Sequence, residues 1–465
     1  MHRFLVVVAL LGCVAVVSAA ERPVGRAFAG RSVVYARDGM VAAAHPLAVQ
    51  LGLDVLKAGG SAVDAAIAVN AALGFLEPTS CGLGGDLFAM VWDPKSASLS
   101  GLNASGRAPA ALTIDRVPAA DDGTIPVYSV YSWTVPGCAD GWFELHRRFG
   151  RLPMAALLAP AARLARAGAP VPAVIADAWA SGVRRFADSP GFAEVFMPGG
   201  RAPAEGEVFA NPALADTYEL LAAGGRAAFY EVEIAERLGA FSDEGSGFLN
   251  RGDLAAHENK SVERNTTTYR GMTVWELPPN PQGLAALQML NILEGFDLAA
   301  MGRDSTDFWH LMIEAKKLAY EDRARFYADP AFAAVPVAGL LDKAYAAERA
   351  KSIDMKRAAA SLPPGNPAVD GGDTTFLATA DASGMMVSLI QSNYTGFGSG
   401  HAVPSLGFGI QDRGALFSLD PAHPNALAPG KRPFHTIIPA FMGRGGVPDT
   451  AFGGMGGDMQ PPGPV

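Results

Sequence analysis

The sequence predicts an α+β protein with helices and strands in layers, and three observations carry that prediction. Apolar positions recur at helical spacing from Pro46 to Lys57 and again after Ser61. Short apolar runs bounded by turn residues follow at 87–92 and 97–102. A tight hairpin is encoded between Thr374 and Ser392, directly after a stretch that supports neither helix nor strand.

Taken in order, the first helix stops at Gly59-Gly60, residues that suit a C-terminal cap. Ser61-Ala62-Val63-Asp64 reads as a capping box opening a second helix, which ends near Glu77-Pro78. That helix is apolar on nearly every face, so it belongs deep in the core. Strands at Leu87–Trp92 and Ala97–Leu102 flank a turn at Asp93-Pro94-Lys95. Asn211-Pro212 starts another helix, which Gly224-Gly225 should end. A strand over Arg270–Leu277 precedes the forced loop Pro278-Pro279-Asn280-Pro281 and a helix from Gly283 to Glu294. Asp304-Ser305 caps a long amphipathic helix through Tyr327. Ser361 to Asp373, with Pro363-Pro364-Gly365-Asn366-Pro367 and Gly371-Gly372, is expected to be an accessible linker. The hairpin strands Thr374–Ala380 and Met385–Ser392 then turn through Asp381-Ala382-Ser383-Gly384.

A chain of 465 residues, 49% hydrophobic and 18% charged, can bury a large core as one big domain or two ordinary ones. The net charge of -9, with no Lys/Arg run, argues against nucleic acid and anionic membrane as partners, since both need a basic footprint. His2-Arg3, the apolar run Phe4–Val17 and the small residues to Ala20 predict a signal peptide over 1–20, and so export to the periplasm or beyond. Leu10-Leu11-Gly12-Cys13 resembles a lipoprotein cleavage site, but the apolar residues after Cys13 disfavour anchoring there. Cys81 and Cys138 remain after export; they are expected to be two buried thiols. Neither they nor the eight histidines are spaced as metal ligands, and no cofactor or metal is expected.

The junction Asp373-Thr374 carries the chemistry. An N-terminal threonine holds a hydroxyl nucleophile beside its own α-amine, which serves as base. The free α-amine has a pKa of about 7.7–8, near the pH at which such a base must work. An internal threonine lacks that amine, so the peptide bond before Thr374 must break first.

The segments around this junction resemble the γ-glutamyltransferase family. They are Gly372-Asp373-Thr374-Thr375, Ser388-Leu389-Ile390-Gln391-Ser392, Phe397-Gly398-Ser399-Gly400, Asn425–Pro433 and Gly453-Gly454-Met455-Gly456-Gly457. Upstream, Ala58–Ala66 and Gly82-Leu83-Gly84-Gly85 match its opening signature, and Ile313–Ala319 with Asp322–Arg325 its middle. The resemblance runs in order from about Val41 to Gly457. It implies an N-terminal-nucleophile hydrolase fold, an αββα sandwich, self-cleaved into a large subunit (21–373) and a small one (374–465) that form one intertwined heterodimeric domain. It implies Thr374 as nucleophile, Asp373 as the last residue before the cut, and Ser392 as the hydroxyl that supports the nucleophile. Gly456 and Gly457 fall on the paired glycines whose N–H groups form the oxyanion hole. The implied reaction is cleavage of γ-glutamyl amides of the glutathione kind through an acyl-enzyme, with transfer to water or an amine.

The substrate-binding segments depart from the family's pattern. Its Arg-Glu-x-Ala-Pro becomes Gly106-Arg107-Ala108-Pro109 with Arg107 displaced by two, so Arg107 reaches a substrate carboxylate only after a loop shift. Its Thr-x-Asn becomes Ser392-Asn393-Tyr394, which on a regular strand turns Asn393 to the opposite face. Its acidic pair for the α-ammonium is replaced by Arg413-Gly414-Ala415-Leu416, and its paired serines by His435-Thr436. The pattern is similar to the branch that includes glutaryl-cephalosporin acylases, which makes an acylase of glutaryl-type amides the alternative. The chain stops eight residues past Gly457, so the last strand and helix of the sandwich are expected to be missing, with an inactive relic as the third reading.

Overall fold

A computed structural model describes residues 32–359, 372–463 and 465. Contacts divide the chain after Arg37: residues 32–37 carry no helix or strand, and Asp38–Val465 forms the second unit. The expected signal peptide with Cys13, and the linker from 361 to 371, lie outside the described residues.

Strand β1 (Gly39–Ala42) leads into helix α1 (Pro46–Lys57) and helix α2 (Ala62–Leu76). The capping box of α2 is present: the Asp64 N–H donates to Ser61 Oγ at 3.1 Å and the Ser61 N–H to Asp64 Oδ2 at 2.9 Å. Every residue of α2 is buried, as an all-round apolar helix requires. Strands β2 (Asp86–Asp93) and β3 (Ser98–Ala104) follow, then helices α3 (Met154–Ala167) and α4 (Pro212–Tyr230). Strands β4 (Lys260–Val262), β5 (Asn265–Tyr269) and β6 (Met272–Glu276) precede helices α5 (Gly283–Leu293) and α6 (Thr306–Phe326). The hairpin is β7 (Gly372–Asp381) and β8 (Met386–Thr395), and a second hairpin is β9 (Ala440–Arg444) and β10 (Val447–Phe452).

Six strands form one antiparallel sheet, β1-β7-β8-β2-β3-β4, and four form another, β10-β9-β6-β5. The alternation of side chains along each strand decides what each face meets. Leu87, Ala89 and Val91 of β2, Leu377 of β7, and Val387 and Leu389 of β8 join the core that contains α2 and α3. Phe88, Met90 and Ile390, on the other face, pack against Trp275, Leu277, Ile437 and Phe441 of the second sheet and its connections. The far side of the second sheet places Val274 against Leu287 and Leu290 of α5, and α5 packs on α6 through Leu284, Met289, Leu311 and Ala315. The layers are therefore helix, sheet, sheet, helix.

Three expectations need correction. The helix from Pro212 does not end at Gly224-Gly225; it breaks at Gly225 (φ 63, ψ -157) and resumes to Tyr230. Arg270 (φ 48) and Gly271 (φ 83) are turn residues, and β5 lies upstream of them, hidden in the sequence by its threonines. Gly372 and Asp373 belong to β7, so Thr374 is its third residue and not its first. Cys81 and Cys138 are both buried, and no disulfide joins them.

Candidate active site

The hairpin that carries Thr374 is irregular where the chemistry is expected. Strands β7 and β8 pair in register from Met386↔Ala380 to Gln391↔Thr375, and again at Tyr394↔Asp373. Between these pairs Ser392 and Asn393 face the single residue Thr374, which makes a β-bulge. The two side chains point apart. Ser392 Oγ lies 3.3 Å from Thr374 Oγ1, and both residues are buried. Asn393 is turned to the other side, against the Gly82–Gly85 turn, where a Cβ on Gly85 would come within 2.5 Å of its Oδ1. The same turn is held to β8 by Gln391, which accepts from the Gly82 N–H at 2.9 Å and donates to the Gly82 carbonyl at 2.8 Å.

Ser392 Oγ accepts from two nitrogen donors. The Tyr394 N–H reaches its Oγ at 2.8 Å and Arg413 Nη2 reaches it at 3.1 Å. Thr374 Oγ1 donates to the same oxygen at 3.3 Å, so Ser392 accepts from the hydroxyl of Thr374. By accepting from the Thr374 hydroxyl, Ser392 orients the oxygen that is to attack. The second arm of Arg413, Nη1, donates to Thr436 Oγ1 at 2.8 Å, and its guanidinium lies 4.4 Å from the centre of the Tyr394 ring. Burial draws the Arg413 pKa down to about 10, opposed by Asp86, Tyr394 and Asp412, so it remains a cation at neutral pH.

The glycine pair occupies a turn that packs against β7. Gly456 (φ 103) and Gly457 (φ 54) are both left-handed, a conformation that glycine adopts without penalty. Gln282, the N-cap of α5, ties this turn to the Thr436 loop: its Nε2 donates to the Gly457 carbonyl at 3.0 Å and to the Thr436 carbonyl at 2.5 Å. Arg323 of α6 in turn holds Gln282 Oε1 at 2.5 Å and Asp458 Oδ1 at 2.6 Å.

Thr374, Ser392, Tyr394 and Thr436 are thus gathered around Arg413, and Gly457 is joined to Thr436 through Gln282. Three expected residues are not. Arg107 donates to the Gly430 carbonyl at 2.9 Å, with no contact to the Thr374 group among the described residues. Asn393 faces the Gly82–Gly85 turn instead. His435 is fully buried, with Nε2 2.9 Å from Asp86 Oδ2 and its ring edge-on to Phe88. Burial pushes its pKa down to about 3, with the Arg413 charge acting in the same direction, so it is a neutral strut that fastens the loop before Thr436 to β2. Arg413, Gln282 and Arg323 were missed as site residues. The sequence shows Arg413 only as the wrong charge in a segment where acids were expected, and nothing local marks the other two.

A threonine nucleophile facing the seam of an αββα sandwich, with a second hydroxyl beside it and a glycine turn packed against its strand, defines an N-terminal-nucleophile hydrolase. The gamma-glutamyltranspeptidase family profile matches residues 48–465. The chain is 38% identical over 423 residues to a glutathione hydrolase-like proenzyme, YwrD, of Bacillus subtilis (strain 168), covering 91% of this chain and 79% of that one. It is 38% identical over 429 residues to an oxamate amidohydrolase proenzyme of Klebsiella pneumoniae, covering 91% and 80%. The crystal structure of a cephalosporin acylase from Bacillus halodurans superimposes with a TM-score of 0.87 at 45% identity, covering 95% of this chain and 82% of that one. The chain belongs to the gamma-glutamyltranspeptidase family.

Proposed function

We propose that the chain is an exported, self-processing amidohydrolase that cuts before Thr374 and then cleaves γ-glutamyl-type amides through an acyl-enzyme on Thr374. The observation that carries this reading is the buried pair of hydroxyls, Thr374 Oγ1 and Ser392 Oγ, 3.3 Å apart at the bulge. In processing, Thr374 Oγ1 attacks the carbonyl carbon of Asp373, the amide nitrogen of Thr374 takes up a proton and leaves, and water hydrolyses the resulting ester. The products are the large subunit, 21–373, and the small subunit, 374–465, with a free α-amine on Thr374. In turnover that amine takes the Thr374 hydroxyl proton as the oxygen attacks the substrate amide, and returns it to the departing amine. Water or an acceptor amine then releases the acyl group. The N–H groups of Gly456 and Gly457 receive the negative charge that builds on the carbonyl oxygen.

The relatives' names support an acyl bond as the target and differ on the acyl group: one is a glutathione hydrolase-like protein, one an oxamate amidohydrolase, one a cephalosporin acylase. The first two are called proenzymes, which supports processing. Export rests on the leader sequence at 1–20. The test is a denaturing gel joined to an anilide assay. Wild type should give two bands and release aniline from γ-glutamyl or glutaryl anilides; Thr374→Ala should give one band and none. A Thr374→Ala chain that still splits at this bond overturns the assignment, and a wild-type chain that never splits favours the inactive relic.

A further inference from the structure

The two nitrogen donors on Ser392 are joined to each other by a buried carboxyl. One donor is the Tyr394 N–H, and Thr395 is the next residue; the other is the Arg413 side chain, and Asp412 is the residue before it. Asp412 and Thr395 are both buried and meet side by side. The Thr395 N–H donates to Asp412 Oδ1 at 3.1 Å, and the Thr395 hydroxyl touches Asp412 Oδ2. The Asp412 N–H reaches the Asn393 carbonyl at 3.3 Å, inside the bulge. Thr395 pairs with Gly372 and Tyr394 with Asp373, so the same contact holds the strand end that lies opposite the bond before Thr374.

One proton serves two contacts at Thr395. Its Oγ1 lies 3.0 Å from the Gly398 carbonyl as well as against Asp412 Oδ2. A hydroxyl has a single proton and a carbonyl has none, so both contacts are hydrogen bonds only when Asp412 Oδ2 is the donor in the second. The neutral acid thus completes a chain from Asp412 through Thr395 to Gly398, closing the turn after β8, where the Gly398 N–H returns to the Thr395 carbonyl at 2.8 Å. A carboxylate would take the Thr395 proton for itself and deprive the Gly398 carbonyl of it. Burial raises the Asp412 pKa to about 7, against the hydrogen bonds from Thr395 and the charge of Arg413. The other charged and titratable groups around it are Tyr128, with Arg185 donating to its hydroxyl at 2.6 Å, Tyr394, and Asp86 and His435, which act on Arg413. Burial pushes both tyrosine hydroxyls up and His435 down, so these three stay neutral near pH 7.

We propose that Asp412 is a positioning residue for the nucleophile: as the neutral acid it clamps both donors onto Ser392, and its ionisation releases them, so self-cleavage and turnover fall toward alkaline pH. This rests on Thr374 being the nucleophile. The α-amine of Thr374 gives the opposite dependence, because it becomes a base only on losing a proton. Self-cleavage precedes the free amine, so it should show the alkaline fall alone, while turnover should show a limb on each side.

The experiment follows the rate of self-cleavage on gels, and kcat/KM on γ-glutamyl and glutaryl anilides, as functions of pH. Wild type should lose about tenfold in each rate from neutral to alkaline pH, the size of one hydrogen bond. Asp412→Asn keeps the shape and offers Thr395 a donor at every pH, so the alkaline fall should vanish whatever the absolute rate. Thr395→Val removes the hydroxyl that favours the carboxylate; it should move the fall to higher pH or abolish it, and it covers the case in which the asparagine variant does not fold. An alkaline fall that is unchanged in either variant, or absent from an active wild type, overturns the proposal. The backbone N–H signal of Tyr394, in chain labelled with 15N-tyrosine, reads the clamp without any turnover. It should shift with a midpoint near 7 in wild type and stand still in Asp412→Asn. That result sustains the clamp even if no anilide is hydrolysed, which would count against the proposed reaction instead; a signal that stands still in wild type sinks the clamp even in an active enzyme.

Discussion

Gln282 Nε2 donates to the carbonyl of Gly457 at 3.0 Å, from the N-cap of α5 to a turn 175 residues further along the chain. Since the same nitrogen holds the Thr436 carbonyl, one side chain sets the spacing between the glycine turn and the loop on which Arg413 rests. The Gly457 N–H can serve an oxyanion only if the turn that carries it is held in place before the substrate arrives. Gln282→Leu keeps the bulk and removes the donor. It should lower kcat by about tenfold or more, less than the loss of an oxyanion donor itself, with KM little changed. Steady-state kinetics on a glutaryl or γ-glutamyl anilide decide this; a rise in KM at constant kcat would place Gln282 in substrate binding instead.

Ser392 offers a second test, because its role depends on a hydroxyl and not on size. Ser392→Ala removes the group 3.3 Å from Thr374 Oγ1 and leaves the Tyr394 N–H and Arg413 without their acceptor. Both processing and turnover should slow by about tenfold or more, the range of a lost hydrogen bond to a charged group. Ser392→Thr restores the hydroxyl and should recover most of the rate. Equal rates for the alanine and threonine variants would show that Ser392 only fills space.

These residues show what the sequence could and could not convey. The capping box of α2 and the hairpin around Asp381–Gly384 are local patterns, written in residues a few positions apart, and both are present in the fold. The departures at Ser392-Asn393-Tyr394 were visible too, but the bulge that lets Ser392 and Asn393 share one partner was not. Strand β5 escaped because Asn265-Thr266-Thr267-Thr268-Tyr269 lacks an apolar alternation; only Thr267 of these is buried. Arg413, Gln282 and Arg323 act through partners from other parts of the chain, and no spacing rule reaches that far. His435 was expected at the substrate and instead meets Asp86, a residue 349 positions away.

The His435–Asp86 contact gives a pH prediction. A histidine held at about pKa 3 in the fold and near 6.5 when unfolded binds a proton first in the unfolded chain. Stability from this group is therefore whole above pH 6.5 and falls as the pH drops toward 3, by up to about 1.4 kcal/mol per unit. Asp412, pushed up to about 7 by burial, works in the opposite direction, so the wild-type profile alone mixes the two. The difference between wild type and His435→Gln isolates the histidine. The variant should be less stable at pH 7.5, and its deficit should shrink as the pH falls through 6 to 4.5. Thermal unfolding across that range checks it, and a constant deficit would mean that His435 does not titrate as its burial requires.

Gly85 allows the sharpest test of the bulge, because the obstacle there is space alone. Unlike Gly82 (φ +154), it needs no left-handed backbone, so alanine meets no conformational penalty. A Cβ would nevertheless lie 2.4 Å from the Ser392 carbonyl oxygen, 2.4 Å from Gln391 Nε2 and 2.5 Å from Asn393 Oδ1. Those contacts are too short to persist, and the Ser392 oxygen is backbone, so β8 has to move away from the Gly82–Gly85 turn. The movement falls on the residues that aim Ser392 at Thr374. Gly85→Ala should therefore cost about 1–3 kcal/mol in stability, the usual range for overpacking, and slow self-cleavage as well. Gly339→Ala is the matched control: nothing lies within 4 Å of its Cβ position, and helix propensity favours alanine there. Thermal unfolding and the rate at which two bands appear on a gel read the two effects separately. If Gly85→Ala loses stability but processes at the wild-type rate, the bulge is a packing feature only, and the alignment of Ser392 with Thr374 is fixed by Arg413 and the Tyr394 N–H without it.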